Sequence, residues 1–278
     1  MEVVACAVQL AAQACPDAAA LAALLGEPVR RAAAAGAGLV VLPQLADLIG
    51  RDRLELQVEA RRVAAELARG ERIHLVFGAA EGGKAGFLCS PGGEVIGRQR
   101  QTHLLPPEKE WGLVPGDELF TFDTEVGRLG LLVGTDAWYP EVSRILALQG
   151  AQVLLSLQAV CRPYTPWRQV AGIWQEAQQN QTFAVESCLS GHLAGSAGLE
   201  FEGRSAIFAP GEMTSGETGI LDDTPDEAGL VLARLDFAAR ERVISQYPVL
   251  GLLNSSLYHR YFPGVYASHP GGAGGARP

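Results

Sequence analysis

Cysteine and histidine are too sparse and too scattered in this chain of 278 residues to build a metal site or a disulfide framework. The five cysteines, Cys6, Cys15, Cys89, Cys161 and Cys188, are odd in number and show no CxxC pair and no cysteine-histidine spacing of a zinc site. They read as reduced, mostly buried thiols, and no metal or other cofactor is expected. Positive charge is also scarce. Lys and Arg number 22 against 31 acids, a net charge of −9, and no basic run exists to meet the phosphates of a nucleic acid. No uncharged stretch approaches the roughly 20 apolar residues of a membrane span. The start Met1-Glu2-Val3-Val4 carries no basic segment ahead of its apolar residues, which argues against a secretory leader. Together these absences predict a cytoplasmic protein with no nucleic-acid and no membrane partner.

What is present is a large apolar fraction, 48% of residues, enough to bury a sizeable core. Glu2 to Gln9 alternates as a strand, and Asp17 is placed to cap an Ala/Leu-rich helix to about Ala35, with Pro28 expected to kink or break it. Leu39 to Leu42 is a short continuous apolar run, the mark of a strand covered on both faces, and it ends at Pro43-Gln44. A helix from about Asp52 to Arg69 and a strand from Ile73 to Ala79 follow. From Gly86 the pattern becomes hairpins, Gly86 to Cys89 with Glu94 to Arg100, then Leu119 to Phe122 with Arg128 to Val133. Further on come helices at Pro140 to Gln149, Trp167 to Gln181 and Phe237 to Ile244. Strands are predicted at Val153 to Leu157, Phe183 to Cys188, Ser205 to Phe208 and Leu230 to Leu235. Covered strands alternate with helices in both halves and no linker separates them, so residues 1–266 read as a single layered α/β domain. The Gly-rich end, 267–278, reads as a disordered tail.

The stretch that organises the chain is Gly127 to Glu141, GRLGLLVGTDAWYPE. A strand-like run meets a tight Gly134-Thr135-Asp136 turn and a helix start. Such an elbow pushes one side chain clear of the sheet, the usual seat of a nucleophile. Here the seat is empty.

Several segments, in this order and spacing, make the chain similar to the carbon-nitrogen hydrolase (nitrilase) superfamily over residues 3–266. They are Gly36 to Pro43, Thr102-His103-Leu104 with Glu108 and Pro115-Gly116-Asp117, and Gly127 to Gly130 leading to Asp136 and Pro140-Glu141. Gly150-Ala151, Ala177 to Gln181, Gly203-Arg204-Ser205 and Pro210-Gly211 complete the match. The resemblance implies a four-layer αββα sandwich, usually paired into a homodimer or a larger oligomer. It also implies a reaction in which a Cys attacks an amide or nitrile carbon, a Glu handles its proton and a Lys with a backbone N–H steadies the negative charge.

Carried over by position, the Glu is Gln44, the Lys is Gln101 and the Cys is Gly134, while the accessory Glu is kept at Glu108 and the elbow Asp at Asp136. No catalytic residue is therefore expected. The implied pocket is neutral and polar, bounded by Gln44, Gln101, Glu108, Gly134, Thr135 and Trp138, with Glu108 its main charge and either glutamine amide able to donate to it. Its expected occupant is a small amide- or carboxylate-like ligand. Two alternatives stand beside this degenerate, nitrilase-like binding protein. One is a hydrolase of non-peptide C–N bonds with relocated residues, for which Cys161 is the candidate thiol, although a lone Cys at a strand end is more often a small buried hydrophobe. The other is a structural subunit of a hetero-oligomer. Thr135 has no base to activate it, His103 is expected to satisfy a backbone or carboxylate partner, and Trp138 and Tyr139 either line the pocket or pack beneath the elbow.

Overall fold

The computed structural model describes residues 1–50, 53–193, 199–224 and 227–268. Strand β1 (Glu2–Ala11) leads to Asp17, whose side chain accepts the Ala20 N–H at 2.8 Å and caps α1 (Ala18–Ala34). Pro28 neither ends nor breaks this helix. The buried stripe Leu21, Leu25, Val29 and Ala32 seats both sides of the proline on the sheet, which outweighs one lost backbone bond. Next come β2 (Leu39–Gln44), α2 (Ala46–Ile49), α3 (Leu54–Glu71), β3 (His74–Ala80), β4 (Lys84–Cys89) and β5 (Val95–Arg100). β4 starts two residues before the apolar pattern does, and this places Lys84 opposite Ala80 in the ladder.

The chain continues through α4 (Pro106–Glu110), β6 (Thr121–Thr124), β7 (Gly127–Val133), α5 (Pro140–Leu148) and β8 (Val153–Gln158). The single helix expected from Trp167 to Gln181 is instead α6 (Pro166–Gln169), a wider turn over Val170–Trp174 and α7 (Gln175–Asn180). Gly172 leaves the helical region there (φ −112°, ψ −118°), and a Cβ on it would stand 2.5 Å from Cδ1 of Trp138. Gly172→Ala is accordingly expected to displace the Trp138 indole at a cost of about 1–3 kcal/mol, read from tryptophan emission and urea unfolding. Then come β9 (Phe183–His192), β10 (Glu200–Phe201), β11 (Ser205–Phe208), β12 (Ile220–Thr224), β13 (Gly229–Asp236), α8 (Phe237–Gln246) and α9 (Ser255–Ser268). The expected Gly-rich tail lies outside the described residues except for Ala267 and Ser268, which close α9 and so are helical.

One sheet runs β13-β1-β2-β3-β4-β5 and the other β6-β7-β8-β9-β11-β12. They join where Leu10 and Ala11 of β1 pair with Leu189 and Ser190 of β9. The period of two along each strand divides the core. Leu39 and Val41 face the second sheet and pack with Leu129, Leu131, Leu155 and Val185. Val40 and Leu42 point the other way, to Leu21, Leu25 and Ala60 of the helices. On the far side Leu132 and Leu154 pack with Val142, Leu146 and Ala177 of α5 and α7. The layers are therefore helix, sheet, sheet, helix, the αββα sandwich that the resemblance implies. Its central strands such as β2 and β8 read as largely apolar runs because both faces are buried.

Candidate functional site

β7 ends at Val133, and Gly134 turns the chain with φ +57° into a tight 3₁₀ turn over Gly134–Trp138, after which Pro140 opens α5. The left-handed backbone suits glycine. A Cβ at this position would lie 3.4 Å from Cδ, Nε2 and Oε1 of Gln101, so the space where an elbow side chain belongs is in contact with that amide. The Gly134 carbonyl accepts from Gln158 Nε2 at 2.9 Å. Asp136 fastens the elbow to the neighbouring loop by accepting the backbone N–H groups of Thr102 (3.0 Å) and His103 (2.9 Å) and the Thr102 hydroxyl (2.8 Å). His103 has its Nδ1 3.3 Å from the same carboxylate and stacks on Tyr139 with ring centroids 3.7 Å apart. The histidine is thus a structural partner of a carboxylate, and Thr135 is committed too, donating its hydroxyl to the His103 carbonyl.

Gln101 has its amide nitrogen, which carries two hydrogens to share, within reach of three acceptors: Thr135 Oγ1 (2.8 Å), the His103 carbonyl (2.8 Å) and Glu108 Oε2 (3.1 Å). Gln44 behaves differently. Its Oε1 accepts the Ala46 N–H at 3.0 Å, and no contact between it and Glu108 is described. Two atoms are left over, Gln44 Nε2 and Gln101 Oε1, a donor and an acceptor without a described partner on side chains that are each 1% exposed.

The expected neutrality does not hold. Lys84 at the start of β4 places its ammonium 2.8 Å from Asp47 Oδ2 and 2.9 Å from Glu108 Oε1. The ammonium thus lies between two carboxylates. Burial works against the ammonium, yet Asp47 and Glu108 outweigh it and hold the Lys84 pKa above its ordinary value. Glu108 is shared, with Lys84 on one carboxylate oxygen and Gln101 on the other. The Leu105 N–H donates to that second oxygen at 2.8 Å.

Trp138 lies with the packing residues. Its ring centroid is 6.4 Å from that of Tyr164, and its edge closes on Gly172. Its indole Nε1 is buried without a hydrogen-bond partner among the described residues. Cys161 also departs from expectation, because it is exposed whereas the other four thiols are buried. It sits within the field of both Asp47 and Lys84. Burial and then Asp47 push the Cys161 thiol up more than Lys84 draws it down, so the site does not favour the thiolate.

A second buried carboxylate stands behind the elbow. Glu186 on β9 accepts from Ser156 Oγ (3.2 Å), Tyr164 OH (3.1 Å) and Gln169 Nε2 (2.6 Å), and Ser156 in turn accepts from the Gln158 amide (2.8 Å) that reaches Gly134. Burial lifts the Glu186 pKa from 4.5 to about 7, more than these donors lower it. Between those two values the folded protein keeps a proton that the unfolded chain has released. Stability from this group is therefore full below about pH 4.5 and is lost as pH rises through about 7, a change of roughly 3 kcal/mol. Urea unfolding at pH 5 and pH 8 should show this fall, and Glu186→Gln should flatten it.

Lys84 and Asp47 are the site residues that the sequence hid. Lys84 follows Glu81-Gly82-Gly83, a turn in which a lysine looks like a solvated charge. Asp47 lies three residues beyond Gln44, and this spacing is the only signal available. An open hollow of about 580 Å³ lined by Pro16 to Ala18 and Arg53 to Leu56 lies apart from all of these residues. Among the described residues no three His, Cys, Asp or Glu side chains are grouped to hold a metal ion, and no helix is long and apolar enough to cross a membrane.

Comparison with known proteins bears on the same residues. The chain is 28% identical over 234 residues to a nitrilase of Pyrococcus abyssi, covering 77% of this chain and 84% of the relative. It is 36% identical over 150 residues to an (R)-stereoselective amidase of a Pseudomonas species, 52% of this chain and 53% of that one. Among solved structures it superposes with TM-score 0.77 and 22% identity on a double mutant of the amidase from Nesterenkonia sp. AN1 in complex with acrylamide, covering 94% and 97% of the two chains. Residues 4–241, including every residue of the elbow and of the ion cluster, match the carbon-nitrogen hydrolase family, and the chain belongs to it.

Proposed function

We propose that this member of the family binds a small primary amide without hydrolysing it. The observation that carries the reading is the side-chain chemistry at three positions. Gln44, Gln101 and Gly134 stand where the family resemblance calls for an acid, a cation and a thiol. Glutamine has no proton to exchange at neutral pH, and glycine offers no atom for a covalent intermediate.

The site has nevertheless been kept in order. A cation withdrawn from position 101 would leave Glu108 buried and unpaired, a loss of roughly 3–5 kcal/mol, and Lys84 supplies the charge from the neighbouring strand. Random decay has no reason to compensate in this way. The unfilled donor on Gln44 and acceptor on Gln101 match the carbonyl and NH₂ of a primary amide. A carboxylate brings no donor for Gln101 Oε1, which narrows the amide- or carboxylate-like expectation to the amide. The Nesterenkonia amidase in complex with acrylamide carries one Glu changed to Gln and one Cys changed to Ala, the same kind of loss. Native mass spectrometry after incubation with primary amides and with the matching acids tests this. An amide adduct and no acid adduct is expected; equal adducts, or none, would remove the reading.

A second reading, a hydrolase working through Cys161, is favoured by that thiol's exposure beside Asp47 and Lys84. The raised thiol pKa weighs against it. Amide turnover abolished by alkylation of Cys161 would establish it in place of the first. The proposal also includes pairing with a second copy. α5 exposes Ile145 and Leu148, α9 exposes Tyr261, Phe262 and Val265, and the two helices are tied by the Tyr266 hydroxyl donating to Glu141. Sedimentation velocity should give a dimer, and a monomer would contradict this part.

A further inference from the structure

The two strands that meet at Glu108 carry an exchange of roles. β4 and the end of β5 are hydrogen-bonded neighbours, and the Gln101 N–H donates to the Lys84 carbonyl at 2.9 Å. Their side chains converge on one carboxylate, Lys84 Nζ on Oε1 at 2.9 Å and Gln101 Nε2 on Oε2 at 3.1 Å. A cation can therefore reach Glu108 from either position, and in this chain it comes from the one that the family resemblance does not point to.

The Lys84 ammonium has three N–H donors. Asp47 and Glu108 take two, which leaves one on a side chain 10% exposed. Three residues back from Asp47, Gln44 holds the donor Nε2 without a partner. Lys84 and Glu108 are both buried, so a ligand gripped there is largely withdrawn from water.

We propose that Lys84 is the residue that grips the ligand's carbonyl oxygen in this site, having taken over from position 101 the task of carrying a cation into the pocket. The inference rests on the amide-binding reading above. Under it, Asp47 and Glu108 are positioning residues that hold the ammonium in place and keep it charged. Gln44 Nε2 is the second donor to the carbonyl, and Gln101 Oε1 receives the ligand's NH₂.

Calorimetric titration of butyramide into four forms of the full chain is the test: unsubstituted, Lys84→Arg, Lys84→Gln, and Lys84→Gln combined with Gln101→Lys. Lys84→Gln is expected to weaken binding roughly tenfold or more, the worth of one charge-assisted hydrogen bond. The combined exchange should recover most of that loss, because the cation returns from the adjacent strand. A lysine needed only for folding would change the thermal midpoint and leave the affinity of the folded protein alone. Lys84→Gln with a cooperative unfolding transition and unchanged affinity would therefore overturn the proposal, as would recovery by Lys84→Arg of the midpoint with no recovery of affinity. Should Lys84→Gln fail to fold, the combined exchange decides, with binding near the original affinity in favour and a folded variant that does not bind against. Absence of butyramide binding to the unsubstituted protein would be a different failure, that of the amide reading itself.

Discussion

Exchanging Gln44→Glu, Gln101→Lys and Gly134→Cys together is expected to give a protein that releases ammonia from small amides, where the proposed function has the unsubstituted chain release none. The gain should be at least about 10³-fold over background, a fraction of the roughly 10⁶ that a coupled catalytic set contributes in a well-studied protease. The geometry permits it. A Cβ at Gly134 lies at an ordinary 3.4 Å from Gln101, and the left-handed φ of +57° costs a non-glycine residue only about 1–2 kcal/mol. A longer basic side chain at 101 starts from a position already within hydrogen-bond reach of Glu108, at 3.1 Å. No single exchange should suffice, since a thiol without a base, or a base without a thiol, completes neither half of the proton transfer. Ammonia release from a set of primary amides by the triple variant and by each single variant measures this directly.

Lys84→Met is the second large effect. Removal of the ammonium takes from Glu108 the cation 2.9 Å from its Oε1, inside a site where Glu108 is 3% exposed. Breaking a buried pair from one side typically costs about 3–5 kcal/mol, because the remaining charge cannot return to water. Urea unfolding should show that loss in the midpoint with the slope unchanged. Adding Glu108→Gln to Lys84→Met should restore much of the stability, since the buried carboxylate that lost its cation is then neutral. Failure of this rescue would mean that Lys84 stabilises the fold through its packing rather than through its charge.

The parts of the molecule that were legible in the sequence are those with strong, local causes. Leu39 to Leu42 announces a strand covered on both faces, and the two core clusters divide its residues alternately. Asp17 announces the start of α1, and it caps that helix. The elbow reads from a strand run ending in Gly134-Thr135-Asp136, and Gly134 does carry the backbone that only glycine adopts without strain. What stayed hidden depends on contacts distant in sequence. Lys84 looks like a turn lysine until β4 sets it beside Asp47 and Glu108. Pro28 looks like a helix break until the buried stripe of α1 is seated. Gly172 looks like an ordinary residue in a helix until Trp138 claims the space of its missing side chain. The error about charge in the pocket has the same origin, because a count made position by position finds no cation at 101 and cannot see Lys84 reach Glu108 from the adjacent strand.

The proposed loss of hydrolysis and the proposed retention of the site are separable, and one experiment addresses both. Butyramide is titrated calorimetrically into the purified, Cys161-alkylated full chain, and the contents of the cell are then assayed for ammonia. Saturable binding with no ammonia above the protein-free control is the expected result. Ammonia that accumulates in proportion to protein and time would contradict the loss of the reaction, and an absence of binding heat and of ammonia alike would contradict the retention of the site.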